Sequence, residues 1–204
     1  MERKDHWEKV YQTKELDEVS WYEPVPETSL RLISELALSR DAAIIDIGGG
    51  DSLLADHLLE LGYTNITVLD ISMAAIERAK VRLGTKAIQI KWIVSDMLLF
   101  TGTGKFDIWH DRATFHFLNS VRDKEIYLQM VNNHLKAEGY LVISTFSING
   151  PEKCSGLPVQ QYSEDSLNDF FNRYFKKIKC FIKNHETPFQ TFQQFIVCVF
   201  QNNP

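Results

Sequence analysis

Cysteine is scarce in this 204-residue chain: there are three, Cys154, Cys180 and Cys198. Their odd number, wide separation and lack of any Cys-x-x-Cys spacing argue against a disulfide framework or a structural zinc site, and suit a reducing compartment. Long apolar runs are also missing, since no stretch approaches the roughly 18 residues of a membrane-spanning helix. The opening segment, Met1 to Lys9, lacks the apolar core of a signal peptide. These absences lead to the expectation of a cytoplasmic protein with no membrane partner. Positive charge is in deficit, with 22 Lys and Arg against 27 Asp and Glu and a net charge of −5. Such a balance offers no general attraction to nucleic acid, which is not expected as a partner. The one dense basic run, Lys176-Lys177-Ile178-Lys179, reads as a solvated strand edge. No internal repeat or low-complexity segment is found.

What is present is the balance of an ordinary globular domain, 44% hydrophobic and 24% charged. The length suits one domain around a buried sheet. From Ala42 onward, short β-branched or aromatic runs alternate with helix-period segments, the pattern of a doubly wound, mostly parallel α/β sheet. Ala43–Ile47, Ile66–Leu69, Ile90–Val94, Phe106–Trp109 and Tyr140–Thr145 read as strands. Phe175–Lys183 and Gln193–Phe200 add two closing strands, for seven in all. The spacing predicts helices around Leu53–Leu61, Ala75–Leu83 and Ile126–Leu135, and Ser163-Glu164-Asp165 opens another. The chain thus divides into an N-terminal helical and aromatic cap (residues 1–40), a core (41–146), and a late loop with closing strands (147–204).

Strand one runs Ile44-Ile45-Asp46-Ile47 into Gly48-Gly49-Gly50-Asp51-Ser52, a glycine turn at the carboxyl edge of the sheet, where ligands of open α/β folds bind. A dinucleotide fingerprint would require glycine where Leu53 stands. Asp46 and Asp51 beside the turn would repel a pyrophosphate, but they suit a ligand carrying an ammonium or sulfonium group. Strand two ends at Asp70, at the spacing from which a carboxylate reaches two ribose hydroxyls. Strand three ends Ser95-Asp96-Met97, which supplies an acceptor for an exocyclic amine and an apolar wall for a base.

Together these motifs resemble the class I S-adenosylmethionine-dependent methyltransferases. The resemblance rests on Asp46 to Gly50, Asp70, Ser95-Asp96-Met97, Phe106 to Asp111 and Leu135 to Ile143, where Ala137 replaces a more usual proline. It implies a Rossmann-like fold and S-adenosylmethionine as cofactor, with no metal. The cofactor residues it implies are Asp46, Gly48, Gly49, Gly50, Asp70, Ile71, Asp96, Met97 and His110, joined by Trp7 and Tyr11 of the cap. His6 to Tyr11, Ser20-Trp21-Tyr22, Asp111 to Leu118, Lys153 to Pro158 and His185 to Pro188 are similar to segments of small methyltransferases of undefined substrate.

Methyl transfer from a sulfonium is an in-line displacement that depends largely on alignment. His110 and Asp111, at the end of strand four, are the candidates for catalysis; His110 equally suits a cofactor-lining role. Arg112 suits either a clamp for an acidic substrate or a salt bridge, and His116, among aromatics, a packed core residue. The loop from Ser147 to Tyr162, carrying Lys153 and Cys154, is long enough to form a lid with the aromatic cap. The acceptor expected is a small molecule. The alternatives are a protein lysine, or a cofactor-binding protein without turnover. Oligomeric state is left open.

Overall fold

The computed structural model describes residues 3–203, so Met1, Glu2 and Pro204 of the expectations above lie outside it. The elements in chain order begin with α1 (Arg3–Thr13), α2 (Glu27–Glu35), β1 (Ile44–Ile47), α3 (Leu54–Glu60), β2 (Ile66–Asp70), α4 (Met73–Leu83) and β3 (Ile90–Val94). There follow β4 (Phe106–Arg112), α5 (Val121–His134), β5 (Leu135–Phe146), β6 (Lys153–Cys154), β7 (Leu157–Pro158), α6 (Glu164–Phe171), β8 (Phe175–Glu186) and β9 (Phe192–Asn202). Serine side chains open three of the helices, Ser72 accepting from Ala75 N, Ser120 from Asp123 N and Ser163 from Ser166 N. Such a cap contributes about 1 kcal/mol.

Seven strands form one sheet in the order β3-β2-β1-β4-β5-β9-β8, with β1 to β5 mutually parallel and β9 antiparallel to both its neighbours. This is the Rossmann-like architecture that the alternation of strand and helix patterns predicts. Side-chain alternation along the central strands splits the core in two. Ile45, Trp109 and Ile143 pack with Tyr127 and Val131 of α5 and Leu167 of α6 on one face, while Ile44, Ile108 and Val142 pack with α2 and α3 on the other. Each such side chain contributes about 1.5–3 kcal/mol by leaving water.

Three expectations need correction. Cys180 and Cys198 face each other across the β8–β9 pair, Cα atoms 4.1 Å apart, and form a disulfide. The hairpin register that aligns Glu186 with Phe192 brings them opposite; the sequence spacing alone does not reveal that register. The cysteine argument for a reducing compartment therefore falls away, and Cys154 is the free, buried cysteine. The second correction concerns the late loop, which is pinned instead of open. Tyr162 is buried against Phe115, Gln160 N bonds His116 O, and Ser155 and Gly156, both at positive φ, make the tight turn between β6 and β7. At Gly150 the loop runs directly against β9, where a Cβ would meet the Gln194 carbonyl 2.5 Å away. Third, β4 and β5 run longer than predicted, to Arg112 and Phe146, carrying His110 and Asp111 inside the strand. Among the described residues no helix is long and apolar enough to cross a membrane.

Helix α1 is docked by polar contacts. Glu8 accepts from Ser72 Oγ (2.8 Å) and Ala74 N (3.2 Å) at the start of α4, and Arg78 donates to Tyr11 O (3.0 Å) past the middle of the helix. Val10 is its one fully buried residue, so α1 lies on the core without entering it, whereas α2 of the same cap buries Leu32 and Ile33 in the core.

Candidate active site

Strand order reverses between β1 and β4, which opens a crevice at their carboxyl ends. The glycine turn forms its floor. Gly48 (φ +65°) and Gly50 (φ +32°) hold backbone angles that side chains rarely adopt, and a Cβ on Gly50 would stand 2.6 Å from Asp70 Oδ2. A Cβ on Gly48 would strike Thr114 Oγ1 and one on Gly49 would strike Asp46 Oδ2. The three glycines therefore let the turn close onto side chains from the ends of β1, β2 and β4.

Above the turn lies a cavity open to solvent on one side. One end is walled by Asp70, Ile71, Ser95, Asp96 and Met97, with Arg3 of α1 reaching over it, 3.5 Å from Asp96. Asp70 is buried and accepts from Ser72 N (2.8 Å), and burial pushes its pKa up to about 7. The other end is walled by Trp7, Trp21, Phe117, Arg112 and Cys154, with Tyr11 alongside. The rings interlock, Trp7 lying 5.0 Å from Phe117 and 5.7 Å from Trp21, both edge to face.

Asp46 and His110 are register partners on β1 and β4, and Asp46 Oδ1 lies 2.6 Å from His110 Nδ1. The other ring nitrogen, Nε2, lies 2.8 Å from Ser29 Oγ on α2. His110 is thus a buried link between the cap and Asp46, lining a second recess that shares Tyr11, Trp21, Gly48 and Arg112 with the first. Asp111, one residue on, points to the opposite face. It has no exposed surface and accepts from Tyr127 OH (2.7 Å), Thr114 N and Phe115 N (both 3.1 Å), and burial pushes its pKa up to about 6. The expectation that Asp111 stands near the reacting methyl is corrected: strand alternation turns it into the core. Asp51 is likewise not a free carboxylate, being paired with Arg78 (2.9 Å) and Arg82 of α4.

Arg112 takes the salt-bridge alternative. It donates to Trp21 O (2.9 Å) and lies 3.1 Å from Glu23 Oε1, while His185 of β8 reaches the same carboxylate (3.3 Å) and Ser20 O (2.8 Å). Burial works to raise the Glu23 carboxyl, but the His185 hydrogen bond and the Arg112 guanidinium outweigh it and hold the pKa below the usual range. His116 is a packed core residue, stacked on Phe146 at 4.5 Å, and burial lowers its pKa to about 3. Sequence reasoning did not single out Ser29, Glu8 or Thr114. Nor could it show that four separate segments, those of Trp7, Trp21, Phe117 and Cys154, meet around one end of the cavity, with His185 behind them.

The fold and this crevice are those of a class I S-adenosylmethionine-dependent methyltransferase. Residues 38–192 match the family described as a methyltransferase domain, and the chain belongs to that family. A human relative, EEF1A lysine methyltransferase 2, is 26% identical over 157 residues, covering 70% of this chain and 66% of that protein, just under two thirds of it. Among solved structures, N-methyltransferase NodS from Bradyrhizobium japonicum, in complex with S-adenosyl-L-homocysteine, superposes with a TM-score of 0.73 at 15% identity, covering 100% of both chains. A structure concerned with conversion of a disulfide bond into a thioacetal group during echinomycin biosynthesis gives a TM-score of 0.79 at 20% identity, with 98% of this chain and 93% of that one covered.

Proposed function

We propose that the protein transfers the methyl group of S-adenosylmethionine to a small-molecule acceptor held at the aromatic end of the cavity. The observation that carries this reading is the lining of that end: Trp7 of α1, Trp21, Phe117 and Cys154 face a space continuous with the crevice above the glycine turn. The donor set fits the cofactor. Asp70 would take the ribose hydroxyls, Asp96 the adenine amino group, and Met97 and Ile71 the faces of the nucleoside. Gly48 and Gly49 would lie along the methionine chain, with Gly50 shaping the turn. Asp46, held by His110, would meet the methionine ammonium. When bound, the cofactor supplies an activated methyl group on a positively charged sulfur. Around it Trp7 and Tyr11 exclude water and offer ring faces that attract a cation by about 0.5–2 kcal/mol. His110 serves as a positioning residue: both of its ring nitrogens are engaged, so it is better placed to hold Asp46 than to take a proton from an acceptor.

The lysine alternative is favoured by the named function of the human relative, which the chain matches over 70% of its length. Thermal-shift measurements against S-adenosylmethionine, S-adenosylhomocysteine, NAD and NADP, followed by a labelled-methyl screen of metabolite and protein fractions, separate the readings. A ligand at 100 times its dissociation constant adds about 2.7 kcal/mol. Stabilisation by NAD alone would sink the cofactor assignment, and label confined to protein would sink the small-molecule reading.

Two expected results accompany this proposal. His110→Ala leaves the buried Asp46 carboxylate without its partner, a cost of about 1–3 kcal/mol. Affinity for S-adenosylhomocysteine and turnover should fall together, by roughly tenfold; loss of turnover alone, with affinity unchanged in calorimetry, would restore His110 as a base. The second concerns the cap. Because α1 is held mainly by polar contacts, its amides should gain protection from hydrogen exchange when S-adenosylhomocysteine is added, while those of the pinned β6–β7 turn stay unchanged. Equal exchange of α1 with and without ligand would show that it does not act as a lid.

A further inference from the structure

We infer that His185 is a positioning residue for this site, an imidazolium that clamps residues 20–23 against the sheet; the inference rests on the methyltransferase reading above and adds a group to its machinery. The burial pattern of β8 singles the residue out. β8 is an edge strand, and Lys183, Asn184 and Glu186 around His185 are exposed, yet His185 itself is only 5% exposed. A polar ring taken out of water in this way requires partners for its nitrogens. Nε2 lies 2.8 Å from Ser20 O, and Nδ1 lies 3.3 Å from Glu23 Oε1. A carbonyl oxygen only accepts hydrogen bonds. So does the Glu23 carboxylate, whose charged form burial disfavours but His185 and Arg112 maintain. Both ring nitrogens must therefore carry protons to donate, which makes the ring a cation.

The clamp has a second cation. Arg112, at the end of β4, donates to Trp21 O (2.9 Å) and lies 3.1 Å from the same Glu23 Oε1. Adjacent peptide carbonyls, those of Ser20 and Trp21, are thus held by cationic side chains from two different strands, and the Glu23 carboxylate ties the two cations together. The groups that face His185 are Glu23 and the Ser20 carbonyl from the cap, Arg112 from β4, Lys183 on β8 itself, and the uncharged Phe195 ring of β9 at 6.1 Å. Among them Glu23 is the anion.

His185 lines neither the cavity above the glycine turn nor the recess beside Asp46, so it acts through what it holds. Trp21 lines both, its ring 5.7 Å from Trp7 and 6.4 Å from Tyr11, while Tyr22 and Glu23 line the recess together with Asp46 and Gly49. Fixing residues 20–23 therefore fixes one wall of the proposed cofactor site. When the ring loses a proton, a lone pair faces an acceptor on one side or the other, and one of its two hydrogen bonds is lost. Histidine as a side chain changes charge between about pH 5 and 8. The protonated ring favours the closed wall, so the clamp is complete at the acid end and is lost as pH rises through the titration of this ring.

The test measures the affinity of S-adenosylhomocysteine by calorimetry for the full chain and for its His185→Gln variant, in steps from pH 6 to pH 9. Both proteins carry Asp70, so the ratio of their dissociation constants cancels the pH dependence of that carboxyl. The variant is expected to bind roughly tenfold more weakly than the parent at pH 6, the order set by one lost hydrogen bond between charged groups, and within about twofold of it at pH 9. A merely structural histidine would give the same ratio at every pH, and that result overturns the clamp. Nitrogen-15 NMR of the imidazole in the parent requires no variant to fold: at pH 6 both ring nitrogens of His185 should carry protons, and a neutral ring there overturns the clamp as well. Either of those outcomes, in a parent that binds S-adenosylhomocysteine, leaves the methyltransferase reading intact. A parent that binds none overturns both.

Discussion

Replacing Asp70 by alanine is expected to weaken binding of S-adenosylhomocysteine by about a hundredfold or more. In the proposed arrangement two ribose hydroxyls share this one carboxylate, and a hydrogen bond to a charged group contributes about 1.5–3 kcal/mol. Asp70 also carries a pH signature. Burial raises its pKa to about 7 in the folded chain, above the ordinary value, so the folded protein favours the protonated form. Asp70 therefore contributes stability that is fully present below the unfolded pKa and is lost as pH rises toward about 7. Ligand binding runs the other way, because the ribose hydroxyls donate to the ionised carboxylate. Affinity should tighten by roughly tenfold between pH 6 and pH 8, and Asp70→Asn should flatten that dependence. Calorimetric titrations at the two pH values measure both effects. An alanine variant that binds as tightly as the parent would remove the central support for the proposed cofactor pose.

Replacing Asp111 by alanine is expected to destabilise the fold by about 3 kcal/mol, since it leaves Tyr127 OH and the Thr114 and Phe115 amides buried without their acceptor. For a chain of this size that lowers Tm by roughly 6–12 °C. Asp111→Asn keeps one acceptor oxygen and should fall between the two. The sign of the pH effect follows from the pKa near 6 in the folded state, again above the ordinary value. This carboxyl stabilises the fold most when protonated, and the contribution falls as pH rises through 6. The deficit of the asparagine variant should therefore shrink between pH 5 and pH 7. Below its melting temperature, the alanine variant should turn over within a few-fold of the parent. A loss of turnover by several orders of magnitude without loss of Tm would return Asp111 to the chemistry.

The sequence by itself determined the sheet and its ligand edge. Strand and helix periods are local properties of the chain, so β1 to β5 and the helices between them were legible, as was the glycine turn flanked by Asp46, Asp70 and Asp96. The fate of each carboxylate was not legible. Asp46, Asp51 and Asp111 look alike in sequence, yet one is held by His110, one is neutralised by two arginines of α4 and one is turned into the core. Partners of that kind come from strand register and helix docking, which place residues 16 to 64 positions apart within a hydrogen bond of each other. The disulfide escaped notice for the same reason, since only the β8–β9 register sets Cys180 opposite Cys198. The acceptor end of the cavity is the extreme case. Its walls come from α1, the Trp21 segment, the turn after β4 and β6, with β8 behind them, and no local pattern records that they meet. Packing decided that, because each segment buries its aromatic or charged side chain most favourably against the others.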